Sequence, residues 1–309
     1  MDVDPAALQI PHRVSARALD WLESVRSCFA LDADLPVHEI DGPSLKALSE
    51  LALAAGMVIR EAVAAPEEAR KAQSLMDFAW QQFREGDVLY ELQRHTPAAT
   101  HCTEIYSFFA ATGYRHARLE QLLEHLVGMR AARVPEHVPN RQLAVVAAVR
   151  RIGLPDHSDL EELIGRTWLG GMPEPWMLDA FNGYGITHTV FHLTDWSAEP
   201  GRLPGKLQHY LRAWLPAWVE VFAETRGWDL LGELLAVGMC LEEPMFFPAV
   251  WEQVAQAQRA DGMLPNGVTR PPDDAVLAFR NHHHPTIVAV VAGTLTASRA
   301  LTVAAGMPA

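Results

Sequence analysis

Residues 251–291 read WEQVAQAQRADGMLPNGVTRPPDDAVLAFRNHHHPTIVAVV, and this stretch decides the predicted fold class. It begins as an amphipathic helix and breaks at an Asp261–Gly262 turn, which a proline-rich loop follows. An apolar helix is then predicted over residues 285–305, because proline is tolerated in the first turn of a helix. Two helices joined in this way form an antiparallel hairpin.

Helical periodicity recurs along nearly the whole chain. Pro66-Glu67-Glu68 opens a further helix with acidic side chains in its first turn, and no segment shows the alternation of a strand. The breaks are short and rich in Pro and Gly. The predicted fold is therefore all-α, a series of antiparallel hairpins that form either a solenoid or a closed ring. The other predicted helices are 14–31, 41–65, 103–112, 116–133, 141–152, 159–168, 206–225, 229–240 and 244–260.

The order of helix, AQ-containing end, Asp-Gly turn and apolar helix in residues 251–291 resembles a hairpin of the α/α toroids. That superfamily contains terpenoid cyclases, protein prenyltransferase β-subunits and lanthionine cyclases, and GITHTVFHL (residues 185–193) resembles the start of another inner helix. The resemblance covers the chain from near residue 160. It implies an (α/α) barrel, complete or incomplete, in which the ends of the inner helices line a central cavity. The DxDD motif of terpene cyclases and the Cys-His-Gly zinc motif of lanthionine cyclases are absent, so their reactions are not implied.

The first part of the chain is less diagnostic. Residues 1–95 are interpreted as helical hairpins continuous with a toroid domain over residues 96–309, because no linker separates Arg84 from His101. A separate helical bundle is the alternative.

The composition limits the classes of partner. The chain has 309 residues and a formal net charge of −13, which disfavours nucleic acid as a partner. No secretory signal is visible, and the apolar run 286–297 is too short to span a membrane. Cys28, Cys102 and Cys240 are scattered, as is typical of a reducing compartment. A cytoplasmic protein with a small-molecule ligand and no membrane partner is expected.

The first candidate site is a stripe of three side chains, His188, His192 and Asp195. In a continuous helix their spacings of four and three residues place them within a sector of about 60°. Two histidines and a carboxylate are a ligand set of non-haem iron and of some catalytic zinc sites, so a divalent zinc or iron ion is predicted. The glutamate of a metalloprotease motif is missing. The alternative is a hydrogen-bonded polar lining of a cavity.

The second candidate site is Asn281-His282-His283-His284-Pro285-Thr286. His284 precedes the proline, so it is predicted at a helix entrance, where the helix dipole keeps the imidazole neutral. His284 is accordingly both a predicted fourth metal ligand and a predicted catalytic residue. The alternative is a solvated surface loop.

Other polar groups are weaker candidates. Glu104, in the segment His101 to Tyr106, is either a cavity carboxylate or a helix-capping acid, and Glu242 and Glu243 are interpreted as caps. Cys240 is predicted in the core. No GxGxxG, phosphate loop, GxSxG or DDxxD motif is present, so nucleotide-dependent and serine-hydrolase mechanisms have no support.

Two functions remain open at this point. The first is an enzyme of biosynthesis, acting on a small, largely apolar molecule in a central cavity lined by His and Asp. A metal held by His188, His192, Asp195 and His284 would activate the substrate; without a metal, Asp195 and a histidine would exchange protons. The second is a non-catalytic helical scaffold or ligand-binding protein.

Overall fold

A computed structural model describes residues 5–133, 137–268, 272 and 274–306. Within these residues there are thirteen α-helices joined by short turns and 3-10 segments, and there is no strand. The all-α prediction is confirmed. The helices are α1 (Pro5–Ser24), α2 (Gly42–Glu61), α3 (Pro66–Gln82), α4 (Asp87–His95), α5 (His101–Ala111), α6 (Ala117–Val127), α7 (Pro139–Ile152), α8 (Leu160–Arg166), α9 (Ala180–Thr194), α10 (Gly205–Glu224), α11 (Trp228–Met239), α12 (Pro248–Ala257) and α13 (Ala275–Ala304).

Several helix starts are fixed by aspartate caps. The side chain of Asp41 accepts a hydrogen bond from the Ser44 amide at 2.7 Å, at the start of α2. At the starts of α9 and α13, the side chains of Asp179 and Asp274 likewise accept a hydrogen bond from the backbone amide three residues further along the chain. Such a cap satisfies one of the free amides of the first turn and is worth about 1 kcal/mol.

Six helices form a cycle of contacts. α2 packs against α5, α5 against α7, α7 against α9, α9 against α11, α11 against α13, and α13 against α2. Side-chain bonds show that α9 and α11 run in the same direction, since Tyr184 and Thr187 of α9 bond to Asp229 and Glu233 of α11. α2 and α13 also run in the same direction, since Glu50 and Glu61 bond to His284 and Ser298. The remaining helices pack against these six or against one another.

The first helix packs against the last. Ser15 of α1 donates to the Val290 carbonyl of α13 at 3.1 Å. Gly293 allows this close approach, because a Cβ atom there would lie 2.5 Å from the Pro11 carbonyl oxygen. α1 and α2, from the predicted segment 1–95, thus contact α13, from the predicted segment 96–309.

Several helices differ from the sequence prediction: α1 spans Pro5–Ser24 where 14–31 is predicted, and α12 spans Pro248–Ala257 where 244–260 is predicted. α13 begins at Ala275, ten residues before Pro285, so the prediction that a helix starts at Pro285 is wrong. The Asp274 cap sets the start, and the buried residues on both sides of Pro285 outweigh the roughly 3 kcal/mol that an internal proline costs. α4 is not predicted from the sequence, although Val88, Leu89 and Leu92 form a buried apolar face at helical spacing.

α2 and α13 are long and apolar enough to cross a membrane by length and composition alone. In this structure, 56% and 72% of their most apolar windows are buried within the protein. Buried core helices pass the same test, so the two helices are weak evidence for a membrane span.

Candidate functional site

A cavity of about 710 Å³ lies within the cycle of six helices. Each of the six contributes to its lining, as does Trp196 just after α9, and the other seven helices contribute none of the described lining residues. Most of the wall is apolar, with Leu53, Phe108, Phe191 and Val291 among its members. The volume is in the range of small-molecule sites.

One wall of the cavity carries His284 among three carboxylates. Its Nδ1 lies 3.1 Å from Oε2 of Glu50, and its Nε2 lies 3.4 Å from Oδ1 of Asp229 and 3.9 Å from Oε1 of Glu233. Burial alone would lower the pKa of His284, but the hydrogen bond to Glu50 and the negative charges around the ring raise it to about 9. His284 is therefore a cation at neutral pH. The predicted neutral ring at a helix entrance is wrong, because His284 lies in the interior of α13.

The pKa values of Glu233 and Glu50 shift in opposite directions. Glu233 is 5% exposed, and its burial raises its pKa to about 8, although a hydrogen bond from Thr187 opposes the shift. Burial also opposes ionisation of Glu50, but its hydrogen bond to His284 lowers its pKa. At neutral pH, Glu50 is ionised while Glu233 holds its proton.

Tyr184 completes this wall of the cavity. The polar wall consists of Glu50, Tyr184, Asp229, Glu233 and His284. The Tyr184 hydroxyl donates to Oδ2 of Asp229 at 2.5 Å. Burial, with the nearby negative charge of Asp229, raises the pKa of Tyr184 far above its usual value, so the phenol stays a donor. This bond orients Asp229 towards His284.

His188 and His192 line the cavity as predicted neighbours on α9. Their rings stack with centroids 6.0 Å apart and planes 25° apart. Nε2 of His188 lies 3.9 Å from Oε1 of Glu233. His188 keeps 41% of its side-chain surface accessible. Even so, the surrounding protein desolvates the ring, and this desolvation, together with the positive charge of His284, lowers the pKa of His188 to about 4. Burial also lowers the pKa of His192, so both rings are neutral.

Asp195 does not join the two histidines. α9 ends at Thr194, and Asp195 adopts a left-handed conformation with φ 46°, so its side chain leaves the helical stripe. Its carboxylate accepts from Nε of Arg151 at 2.5 Å, and it is not among the residues that line the cavity. The predicted stripe required a helix that includes Asp195, whereas α9 ends one residue before it.

The four predicted metal ligands do not form one ligand set in this geometry. The two rings on α9 stack instead of converging, and Asp195 is bound to Arg151. Both ring nitrogens of His284 face carboxylates. In the part of the chain that the structure describes, no group of three or more His, Cys, Asp or Glu side chains is placed to hold a metal ion.

The histidines beside His284 are also within α13, so the surface-loop alternative does not describe them. His282 is buried and accepts from the Asn266 amide at 2.9 Å. Nδ1 of His283 lies 2.9 Å from the Phe279 carbonyl oxygen. His282 therefore holds Asn266, which precedes α13, and His283 bonds within the first turns of α13.

The weaker candidates fall into two groups. Glu104 and His101 line the cavity, with Glu104 bound by Arg141 at 2.6 Å and by Thr100 at 2.8 Å. Burial raises the pKa of Glu104 despite the charge of Arg141. The others lie elsewhere: Cys102, Tyr106 and Cys240 are in the core, and Glu242 and Glu243 are exposed after α11.

Sequence reasoning missed Glu50, Asp229 and Glu233. They lie on two helices that meet α13 only in the folded chain. One signal was available for Glu233, since it is the single charged residue within LLGELLAVGM of α11. A carboxyl group within such an apolar stretch is rarely buried without a partner or a function.

A family model matches residues 15–294, and its description is a domain of unknown function, DUF6895. The chain belongs to this family. The DUF6895 match runs from within α1 into α13 and includes every residue of the polar wall. No curated protein and no solved structure matches the chain significantly.

Proposed function

We propose that the protein is an acid–base enzyme that isomerises a small, largely apolar molecule by relocating a proton. Glu233 serves as the general acid and His188 as the general base. The observation that carries the proposal is their opposite protonation: a proton-bearing carboxyl group and a proton-free imidazole, 3.9 Å apart, at the wall of an apolar cavity. Pairs of titratable groups whose pKa values are pushed apart are typical of acid–base sites.

The distance between the two groups suits a substrate that lies beside both of them. A separation of 3.9 Å between Oε1 of Glu233 and Nε2 of His188 exceeds a direct hydrogen bond. A substrate atom on the cavity side of the pair can lie about 3 Å from each group, within the reach required for proton transfer.

The protons balance over one turnover. Glu233 gives its proton to one substrate atom, and His188 takes a proton from another. The enzyme is left with an imidazolium of low pKa and a carboxylate of high pKa. Loss of the proton from His188 to water and uptake of a proton from water by Glu233 are then both favourable and restore the starting state, so neither oxidant nor reductant is consumed.

His284 is a positioning residue in this proposal. Its positive charge is neutralised by Glu50 and Asp229, which fixes the ring beside Oε1 of Glu233. The charge favours the carboxylate that Glu233 becomes after it donates its proton.

We also infer that the six-helix cycle is the inner ring of an (α/α) barrel, with the other helices outside it. Support comes from the closed order of contacts, the parallel direction of two neighbouring pairs (α9 with α11, and α2 with α13) and the cavity within the cycle. By analogy with toroid cyclases, a biosynthetic role in the cytoplasm is part of the proposal.

The zinc or iron ion stays a prediction with a direct test. Elemental analysis measures the metal content of the wild-type protein and of His188→Ala, both purified without a tag or chelator. About one equivalent of metal that is lost in the variant would support the ion and would change the role of His188 from base to ligand.

Deuterium incorporation tests the acid–base function even while the substrate is unidentified. Purified protein is incubated in D₂O with pooled apolar metabolites, and mass spectrometry detects compounds that gain one deuteron per exchange. We expect incorporation with the wild type and with Glu224→Gln, an exposed control on α10. Glu233→Gln and His188→Gln should each abolish it.

The binding-protein alternative gives a different result. A molecule that is retained by the wild type but gains no deuterium and undergoes no change would contradict catalysis. The same holds if Glu233→Gln exchanges as fast as the wild type.

A further inference from the structure

The cavity opens where α2 and α7 begin. Of the described residues that line it, three are exposed: Gly42 and Lys46, the first and fifth residues of α2, and Arg141, the third residue of α7. Leu53, further along α2, and Val291 of α13 also line the cavity and are buried. The entrance is therefore at the starts of α2 and α7.

The ends of α2 and α7 lie together at the other end of the cavity. Arg60, the last residue but one of α2, donates from Nη1 to the Asp195 carbonyl at 2.9 Å. Arg151, the last residue but one of α7, donates to the Asp195 carboxylate at 2.5 Å. Asp195 directly follows α9, so these three helices end side by side. A ligand that enters at their starts therefore extends along the helix axes, past the polar wall, towards the apolar end.

The accessible charged groups at the entrance are cations. The side chains of Lys46 and Arg141 are 69% and 45% exposed, whereas their neighbours Glu50 and Glu104 are each 16% exposed. Lys46 Nζ lies 3.5 Å from Oε1 of Glu50, at the limit of a hydrogen bond. Arg141 donates to Glu104 at 2.6 Å through one of its five N–H groups. Both cations thus keep N–H donors that a ligand in the entrance can reach.

The stability of α7 does not account for Arg141. Its third position in the helix is one where the helix dipole favours an acidic side chain. α7 has no acidic residue in its first turn, and Val138 before it provides no side-chain cap. The partial positive charge of the helix start therefore adds to the charge of Arg141, in a chain whose formal net charge is −13.

The carboxyl groups of the polar wall are less suited to bind a charged ligand. Glu50 and Asp229 are both paired with the His284 cation, and each is 16% exposed. Glu233 holds its proton at neutral pH. A cationic ligand would have to compete with His284 for these groups, whereas an anionic ligand meets accessible donors first.

We propose that Lys46 and Arg141 bind a carboxylate group of the substrate at the cavity entrance. The substrate class is then an apolar carboxylic acid, whose skeleton extends past Glu233 and His188 into the apolar end of the cavity. Lys46 precedes Glu50 by four residues, about 6 Å along the helix axis, so the reacting atoms lie a few bonds from the carboxylate. The inference rests on the proposed function for these reacting atoms only.

Three probes of similar shape test the proposal. Naphthalene-1-acetate, its amide and 2-(1-naphthyl)ethylamine share one apolar ring system and carry a negative charge, no charge and a positive charge at neutral pH. Isothermal titration calorimetry at low salt measures their dissociation constants. We expect the acid to bind at least about tenfold more tightly than the amide, the effect of one charge-assisted hydrogen bond. The amine should bind no more tightly than the amide, and added salt should reduce the preference for the acid.

Matched variants locate the effect. Lys46→Met and Arg141→Met should each reduce the preference for the acid, and the double variant should abolish it; helical circular dichroism should be unchanged, because both side chains are exposed. Lys206→Met, which removes an exposed cation from α10, should retain the preference. Glu233→Gln should retain it too while losing deuterium exchange, so failure of the acid–base function leaves this result distinct.

Several outcomes would overturn the inference. They are equal affinity for the acid and the amide, tightest binding of the amine, a preference for the acid that survives in the double variant, an equal loss in Lys206→Met, and binding of none of the probes up to their solubility limits.

Discussion

The raised pKa of Glu233 has a measurable effect on stability. Its carboxyl titrates near its ordinary 4.5 when unfolded and at about 8 when folded. Between these pH values the folded protein holds a proton that the unfolded chain has lost. The unfolding free energy therefore falls as pH rises through this window, by about 1.4 kcal/mol per pH unit for a full proton. The amide side chain in Glu233→Gln does not titrate, so this variant lacks the pH-dependent contribution of Glu233 to the unfolding free energy.

Urea unfolding of the wild type and Glu233→Gln at about pH 5.5 and about pH 7.5 measures the difference. Over these two units, the variant should gain stability relative to the wild type by up to about 2.7 kcal/mol. This value is an upper limit because the folded and unfolded chains differ by less than one full proton at pH values close to either pKa. Above pH 8 the difference should become constant. The exposed Glu224→Gln provides the control and should show no slope.

A pH-independent difference between Glu233→Gln and the wild type would refute the reasoning. So would a loss of several kcal/mol in Glu233→Gln at neutral pH, because an amide is a close replacement for a protonated carboxyl group only. That second result would mean that Glu233 is ionised and paired with His284.

Three further substitutions test the site and the packing. His188→Ala should abolish deuterium exchange and leave helical circular dichroism unchanged, since the ring faces the cavity; an unfolded variant would favour a structural role. Arg151→Met should lower the free energy of unfolding in urea by about 2 kcal/mol, less than the roughly 3–5 kcal/mol of a fully buried pair, because Asp195 is part-exposed. The exposed control Arg166→Met should change it by less than about 0.5 kcal/mol. Equal effects of the two substitutions would contradict the argument. Gly293→Ala should lose about 1–3 kcal/mol by overpacking against α1, whereas Gly165→Ala, with open space around it, should gain about 0.5–1 kcal/mol.

The sequence predicts the helical class and many of the helix bounds. Periodicity and capping residues are local signals, so the predicted bounds of α7 and α10 lie within about two residues of the observed ones. Pro285 gives a wrong start for α13, because tertiary burial outweighs the local preference of a proline. The left-handed turn at Asp195 is not visible in the sequence, since non-glycine residues carry no clear signal for it.

The site is predicted in part. His188, His192 and His284 do line one cavity, because inner helices of one ring face the same space. The carboxylates around His284 could not be predicted, since Glu50 is 234 positions from it along the chain. Protonation states depend on those distant partners, and for that reason the sequence predicts a neutral His284 where the folded protein holds a cation.

The contacts of α13 set the order in which the cavity can be completed. Synthesis proceeds from the amino end, so five of the six cavity helices leave the ribosome before residues 275–304. Until then α2 and α11 each lack a neighbour, and Glu50 and Asp229 lack their counter-ion. Any structure that the five earlier cavity helices form before α13 is added would leave an open, acidic groove. Contacts this distant in sequence favour slow folding, so we expect a chaperone to increase the yield of active protein.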